Sequence, residues 1–163
     1  SVRRRKFDLR ETINDVLSTL SPRLKRLPHR LDVQVAEGVL LDSFPGPREQ
    51  VLTNWIENSL VHAFTPGQVG HIRITATKTA TRIRLQYQDD GVGIPAAVRH
   101  RVFDPFFTTR LGQGGSGLGL YLVYALVTGP LGGSICIVDQ TQAGTCFDLD
   151  FPDSAPRTSE ETE

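Results

Sequence analysis

For most of its length, the stretch FDPFFTTRLGQGGSGLGL at residues 103–120 fits neither a strand nor a helix. Three phenylalanines and a proline crowd its first five residues, and five glycines fall among residues 112–120. The glycines then run straight into an apolar helical pattern. Any fold for this chain must therefore carry a long irregular connection ending at a helix N-terminus. Glycine lets backbone N–H groups approach a ligand, and a helix N-terminus favours anions, so the combination predicts a phosphate site. A Walker loop is excluded, because no Lys-Ser or Lys-Thr follows the glycines. A Rossmann turn fits poorly, because an aromatic, proline-containing loop leads in where a strand should. A glycine-rich loop with no ligand remains the alternative.

The chain has 163 residues, enough for one domain with a substantial core, and 18 basic residues balance 18 acidic ones. No global field draws it to nucleic acid or membrane. Its opening, SVRRRK, is locally basic and reads as the solvated end of a linker at residues 1–6. Its close, residues 153–163, is polar and acidic and reads as a flexible tail. The given residues carry no signal-peptide pattern, and the longest apolar run, residues 118–127, is too short for a span and reads as a buried helix. A basic start without Met reads as an excised domain. Cys136 and Cys146 flank the turn-like QTQAG, where they can face each other across a hairpin as reduced packing residues.

Hydrophobic spacing predicts helices over residues 10–26, 48–63 and 117–128. Short strands are expected near residues 7–9, and at 31–35 and 39–41 around a turn at Glu37-Gly38. Pro45-Gly46-Pro47 reads as a break before the second helix. Residues 71–78 and 82–88 alternate as a hairpin turning at Thr79-Ala80-Thr81, with Ile72, Ile74, Ala76, Ile83, Leu85 and Tyr87 on the buried face. Residues 90–116 form a long irregular connection, and strands close the chain at 134–139 and 145–151. The pattern implies an α+β fold, a two-layer sandwich with helices on one sheet face and the other face wet.

Three blocks can carry chemistry. On the second helix, Val51, Leu52, Trp55, Ile56, Ser59, Leu60 and Ala63 form one face, while Asn54, Asn58 and His62 share the opposite side. Amides are poor helix formers, so the Asn pair either serves a hard cation and its phosphates or is simply solvated. In Asp89-Asp90-Gly91-Val92-Gly93-Ile94-Pro95, a carboxylate at a strand end suits an exocyclic amine, and the glycines suit a flat ring; an ordinary Asp-Gly turn is the alternative. Phe103, Phe106 and Phe107 can anchor a flap, dock another domain, or fill a small satellite core. Arg110 either reaches a phosphate or stands idle at the surface.

The order of the blocks, NWIENSLVHAF, DDGVGIP, VFDPFFTTR and GGSGLGL, resembles the N box, first glycine box, F box and second glycine box of bacterial sensor histidine kinases. The likeness covers about residues 7–152 and includes the closing LGGSICIVDQTQAGTCFDLDFP. It implies a Bergerat-type ATP-binding fold, a mixed, mainly antiparallel sheet under three helices with a long ATP lid. The superfamily also holds type II topoisomerase, mismatch-repair and heat-shock-chaperone ATPases. The resemblance implies that Asn58 binds Mg²⁺, with Asn54 near the phosphates, and that Asp89 bonds the adenine amine beside Gly91, Gly93 and Ile94. Residues 103–116 become the lid, and Phe103, Gly115, Gly117, Leu118, Gly119 and Leu120 contribute to the nucleotide site. Residues 111–115 are expected to be poorly ordered without nucleotide.

Two departures qualify the likeness. Val61 stands where many relatives carry Lys or Arg, leaving His62 or Arg110 to supply positive charge. Asn54 stands where hydrolysing relatives place a general-base Glu, and Glu57 lies about 100° around the helix. Water should be activated poorly, favouring phosphoryl transfer from ATP over hydrolysis, with Asn54, Asn58 and Arg110 as the catalytic set. None of His29, His62, His71 or His100 resembles the acceptor, so the implied partner is a dimerisation and phosphoacceptor domain upstream, with a response regulator reached indirectly. The isolated domain is expected to be a cytoplasmic monomer that touches neither nucleic acid nor membrane. The rivals are an anti-sigma-type serine kinase and a degenerate module that binds nucleotide or docks a regulator without transfer.

Overall fold

Alternating strands dominate the middle and the end of the chain, and in the computed structural model they form one sheet. The structure describes residues 4–60, 64, 67–107, 119–138 and 143–157. The strands of this sheet are β2 (Arg30–Val35), β4 (His71–Thr79), β5 (Arg82–Asp89), β6 (Ser134–Ile137) and β7 (Thr145–Pro152), in the order β2-β4-β5-β7-β6. Only β2 and β4 run parallel; the other neighbours are antiparallel. Two further strands, β1 (Arg5–Asp8) and β3 (Leu40–Ser43), pair with each other as a separate ribbon. Strands β2 and β3 flank the expected turn at Glu37-Gly38 without pairing. Their apolar residues are satisfied by different partners, which a hairpin signal cannot foresee.

One face of the sheet is apolar. Ile72, Ile74, Ile83, Leu85 and Tyr87 are buried, joined by Phe147, Leu149 and Phe151 from β7. Helices α1 (Leu9–Leu24), α2 (Pro45–Asn58) and α3 (Gly119–Thr128) cover it, with α2 between the other two. Trp55 of α2 stacks on Tyr87 at 5.2 Å and on Phe147 at 5.9 Å, pinning helix to sheet with large apolar area. The opposite face is wet: Arg84 pairs with Asp148 at 2.8 Å and Arg82 with Asp150.

Local chemistry sets the helix limits. Asp8 caps α1, its Oδ1 accepting from the backbone N–H of Arg10 at 2.9 Å, while its Oδ2 accepts from Gly38 at 2.7 Å. Pro22 sits inside α1 without ending it. Helix α2 begins at Pro45, earlier than expected, because the Pro-Gly-Pro read as a breaker supplies the first turn, where the missing N–H costs nothing. Its first turn also buries Arg48, whose guanidinium lies over the rings of Phe151 at 4.4 Å and Phe7 at 5.2 Å. Desolvation lowers the Arg48 pKa to about 9, so the group stays charged at neutral pH.

Other expectations need correcting. The apolar run at 118–127 predicts a buried helix, yet of α3 only Val123 and Val127 are buried, and Tyr121, Leu122 and Tyr124 are exposed. The connection after β5 contains a 3-10 helix, Ala96–Arg101. Cys136 lies opposite Asp148, and Cys146 opposite Val138, so the two thiols sit diagonally and both are free. Burial, reinforced by Asp148, pushes the Cys146 thiol up. After β7, residues as far as Pro156 are held against β3. Asp153 O accepts from Asp42 N at 2.8 Å, Ala155 N donates to Asp42 O at 2.9 Å, and Arg4 donates to the carbonyls of Ala155 at 2.5 Å and Pro156 at 2.8 Å. Arg4 and residues 153–156 thus meet at β3.

Candidate functional site

Asp89 closes β5 on the helix-covered side, and it is 5 % exposed. Three donors hold its carboxylate. Oδ1 accepts from the backbone N–H of Gly91 at 3.1 Å and of Thr145 at 3.3 Å; Oδ2 accepts from Ser59 Oγ at 3.0 Å. Burial pushes the carboxyl pKa upward, and the bonds from Gly91, Ser59 and Thr145 oppose that shift. A carboxylate offers about four acceptor sites, so one direction on Oδ2 is left over. The neighbouring Asp90 is engaged elsewhere: its Oδ1 accepts from His71 N at 2.7 Å, tying the β5 end to β4.

Ser59 is the residue that sequence reasoning missed. It is buried just beyond α2, where the helix widens into a π turn at Ser59-Leu60. Its Oγ also lies 2.8 Å from the Tyr87 hydroxyl, which is 3.2 Å from the carbonyl of Trp55. The signal was its place on the apolar side of the helical wheel, where a hydroxyl facing the sheet must find a partner. Gly144 was missed as well. It holds φ 103, and a side chain there would collide with the Asp89 carbonyl. Gly93, expected in the pocket, holds φ 76, and an added Cβ would stand 3.0 Å from Gly144 O. These two glycines let the loops after β5 and before β7 close on each other.

Around this carboxylate the structure gathers most of the other expected residues. Gly91 is buried beside it, and half-buried Ile94 packs on the core, where its carbonyl accepts from Arg99 Nε at 3.2 Å. Asn54 and Asn58 lie on the α2 face turned away from Trp55 and Ile56. Asn54 Oδ1 accepts from Gln50 at 2.9 Å, while its Nδ2 is buried without a hydrogen-bond partner. A buried donor lacking an acceptor suits a phosphate oxygen. Half-buried Asn58 meets no partner among the described residues, so its amide oxygen is available to a hard cation. Glu57 is half-exposed and pairs with Arg23 of α1 at 3.3 Å, away from the Asn row.

Phe103 packs as an anchor, 5.6 Å from the Tyr124 ring and 6.2 Å from that of Phe147. Phe106 instead is 70 % exposed at φ 66, a conformation few non-glycine residues adopt, while Phe107 lies under Arg101 at 5.1 Å. Gly119 and Leu120 begin α3, and Leu120 packs on the core. Val61, His62, Arg110, Gly115, Gly117, Leu118 and the expected loose segment at 111–115 lie outside the described residues. Among those described, no group of three His, Cys, Asp or Glu is arranged to hold a metal. No helix among them is long and apolar enough to cross a membrane.

This layout, with an acidic strand end, an Asn-bearing helix and an aromatic anchor over a mixed sheet, coincides with a family model for histidine kinase-, DNA gyrase B- and HSP90-like ATPases, which matches residues 47–155. The chain belongs to that ATPase family. Sensor histidine kinase AruS of Pseudomonas aeruginosa is 36 % identical over 155 residues, covering 86 % of this chain and 15 % of its own length. Sensor protein TorS of Escherichia coli K12 is 30 % identical over 148 residues, covering 90 % of this chain and 16 % of its own. The chain thus spans about a sixth of these curated relatives. Among solved structures, the nucleotide-free catalytic domain of histidine kinase ThkA superposes with TM-score 0.82 at 26 % identity, covering 93 % of this chain and 97 % of that one. Within the ATPase family the match therefore lies with sensor-kinase catalytic domains, and it includes the mixed sheet and its helical layer.

Proposed function

We propose that this ATPase-family domain binds Mg²⁺-ATP and donates the γ-phosphoryl group to a histidine on a dimerisation and phosphoacceptor domain of its parent protein, which passes it to a response regulator. The observation that supports nucleotide binding best is Asp89, whose buried carboxylate has three donors and one unused acceptor direction. An adenine amine fills that direction. A guanine carbonyl placed there would set a second acceptor against the carboxylate oxygen, so the site selects ATP over GTP.

Gly91, Gly93 and Ile94 shape the adenine pocket, and Phe103 anchors the start of the lid. Asn54 Nδ2, buried without a partner, would donate to a phosphate oxygen. Asn58 would hold Mg²⁺ through its amide oxygen, with phosphates and water completing the shell; the ion supplies charge neutralisation at the phosphates. The second glycine box (Gly115, Gly117, Leu118, Gly119, Leu120) would wrap the phosphates, with His62 and Arg110 as sources of positive charge. No carboxylate among the described residues stands on the Asn row to activate water, and Glu57 is committed to Arg23. The domain then works by positioning and charge stabilisation for an incoming histidine, with slow hydrolysis. A cytoplasmic location follows from the need for ATP.

The test is phosphotransfer in trans. The domain, mixed with a histidine-bearing acceptor domain from its parent and Mg²⁺-ATP, should yield acid-labile phosphohistidine, and Asn58→Ala should abolish it. Tight binding of an ATP analogue with no phosphohistidine would leave a nucleotide-holding module instead.

A further inference from the structure

Behind the Asp89 carboxylate runs a row of buried oxygens that ends inside helix α2. Asp89 Oδ2 lies 3.0 Å from Ser59 Oγ, Ser59 Oγ 2.8 Å from the Tyr87 hydroxyl, and that hydroxyl 3.2 Å from the Trp55 carbonyl. Three contacts join four oxygens, yet the two hydroxyls bring only two hydrogens. Burial pushes the Tyr87 phenol up, so it keeps its hydrogen. The Trp55 carbonyl already accepts from the backbone N–H of Ser59 and is the end that can go without. With Asp89 ionised, Ser59 must donate to the carboxylate, and Tyr87 is the donor left for Ser59 Oγ. Both hydrogens then point toward the charge. With Asp89 protonated the row reverses: Asp89 donates to Ser59, Ser59 to Tyr87, and Tyr87 to Trp55 O.

We propose that Tyr87 is a positioning residue for base recognition: through Ser59, its hydroxyl keeps Asp89 a pure acceptor, which favours a 6-amino purine over a 6-oxo purine. The inference rests on Asp89 as the adenine acceptor. Hydrogen bonds in a chain strengthen one another, and those ending on an ionised acceptor are roughly twice as strong as neutral ones. The ionised form therefore gains more from Tyr87 than the protonated form does. Without the phenol hydroxyl Asp89 is easier to protonate, and a protonated Oδ2 can donate to a purine carbonyl. Other groups act on this carboxyl from outside the row. Asp90 raises its pKa, while Asp90 Oδ1 is itself held by the backbone N–H of His71 on β4. The Cys146 thiol of β7 feels the Asp89 charge, and Glu57 of α2 is committed to Arg23.

ATP and ITP differ at the purine 6-position, an amine against a carbonyl, so calorimetry with slowly hydrolysed analogues of both reads the proposal directly. Tyr87→Phe keeps the ring that stacks on Trp55 and removes only the hydroxyl. It should lower the preference for the ATP analogue about fivefold at neutral pH. Loss of that analogue's affinity on acidification should also begin at a higher pH than in the wild type. Ser59→Ala breaks the same row and should lower the preference too, and in that background Tyr87→Phe should change it no further. A packing role alone would weaken both analogues equally and leave the pH profile in place, and that result overturns the proposal. The preference is a ratio, so a variant that folds only in part still reports it. A wild-type chain that binds the two analogues equally would remove the adenine assignment, and this inference with it.

Discussion

Helix α2 meets a buried charge near each end, and the two are treated in opposite ways. Near its C-terminal end, Asp89 receives donors from Ser59, Gly91 and Thr145. In its first turn, about 16 Å away along the axis, Arg48 receives none and leans on two aromatic faces. Burial moves both pKa values toward the neutral form, upward for the acid and downward for the base. The acid is compensated by directional bonds that leave a single vacancy of defined geometry. The base is compensated only by diffuse cation–π attraction, worth about 0.5–2 kcal/mol per ring. A nearly satisfied charge can select a ligand by shape and hydrogen bonding.

The sharpest way to break this contrast is at Asp89. Asp89→Asn should weaken an ATP analogue by about 100-fold in calorimetry, because the amide replaces a charge-assisted acceptor. Unchanged affinity would remove the adenine assignment. The same group sets a pH dependence. Burial raises the Asp89 pKa, so on acidification the folded protein takes up this proton at a pH above that of a free Asp, near 3.9, and the acceptor is lost. Analogue affinity should fall across that window in the wild type, and the component should vanish in Asp89→Asn. Stability runs the other way. With the folded pKa raised, this group's contribution is greatest below the unfolded pKa and is lost as pH rises through the folded one.

At the other end, Arg48→Met should stabilise the domain by about 2 kcal/mol in urea titrations, since an unpaired buried charge gives way to an apolar side chain of similar reach. Nucleotide affinity should stay the same. A loss of stability would show that Arg48 contributes through its rings more than it costs in desolvation. Ser59→Ala tests whether the donors at Asp89 matter one by one. It should cost about 1 kcal/mol in both analogue affinity and stability, with Tyr87 still bonded to Trp55 O. The smallest effect is expected far from both charges, in the β4–β5 turn. Ala80 sits at φ 53, and Ala80→Gly should raise stability by about 0.5 kcal/mol in the same titrations.

The amino-acid order made the Asp89 end legible and hid the Arg48 end. Asp89, Gly91 and Gly93 lie within five consecutive residues, so their chemistry is visible locally. The four-block order then pointed to the family. Thr145 and Gly144 reach Asp89 only through the β5–β7 pairing, a long-range contact that local patterns do not encode. The parallel β2–β4 pairing escaped for the same reason. Arg48 was readable in principle. Residues 48, 51, 52 and 55 share one helical stripe, and a charge on that stripe has to be buried with it. The expectation that arginine faces water concealed this, as did reading Pro45-Gly46-Pro47 as a break that placed the helix start too late.

The clasp of Arg4 on Ala155 and Pro156, beside the hydrogen bonds between β3 and residues 153–155, brings the entrance and the exit of the described fold to one spot. A bridge of about five residues would close that gap, given roughly 3.3 Å per extended residue. The domain is therefore topologically close to a ring, and a new opening cut in the exposed β4–β5 turn, with the old ends joined there, should leave the sheet order and the Asp89 pocket intact. Tension applied through residue 4 would be borne at this seam by the short β1–β3 ribbon. The five-stranded sheet beneath the nucleotide site would feel it only second-hand.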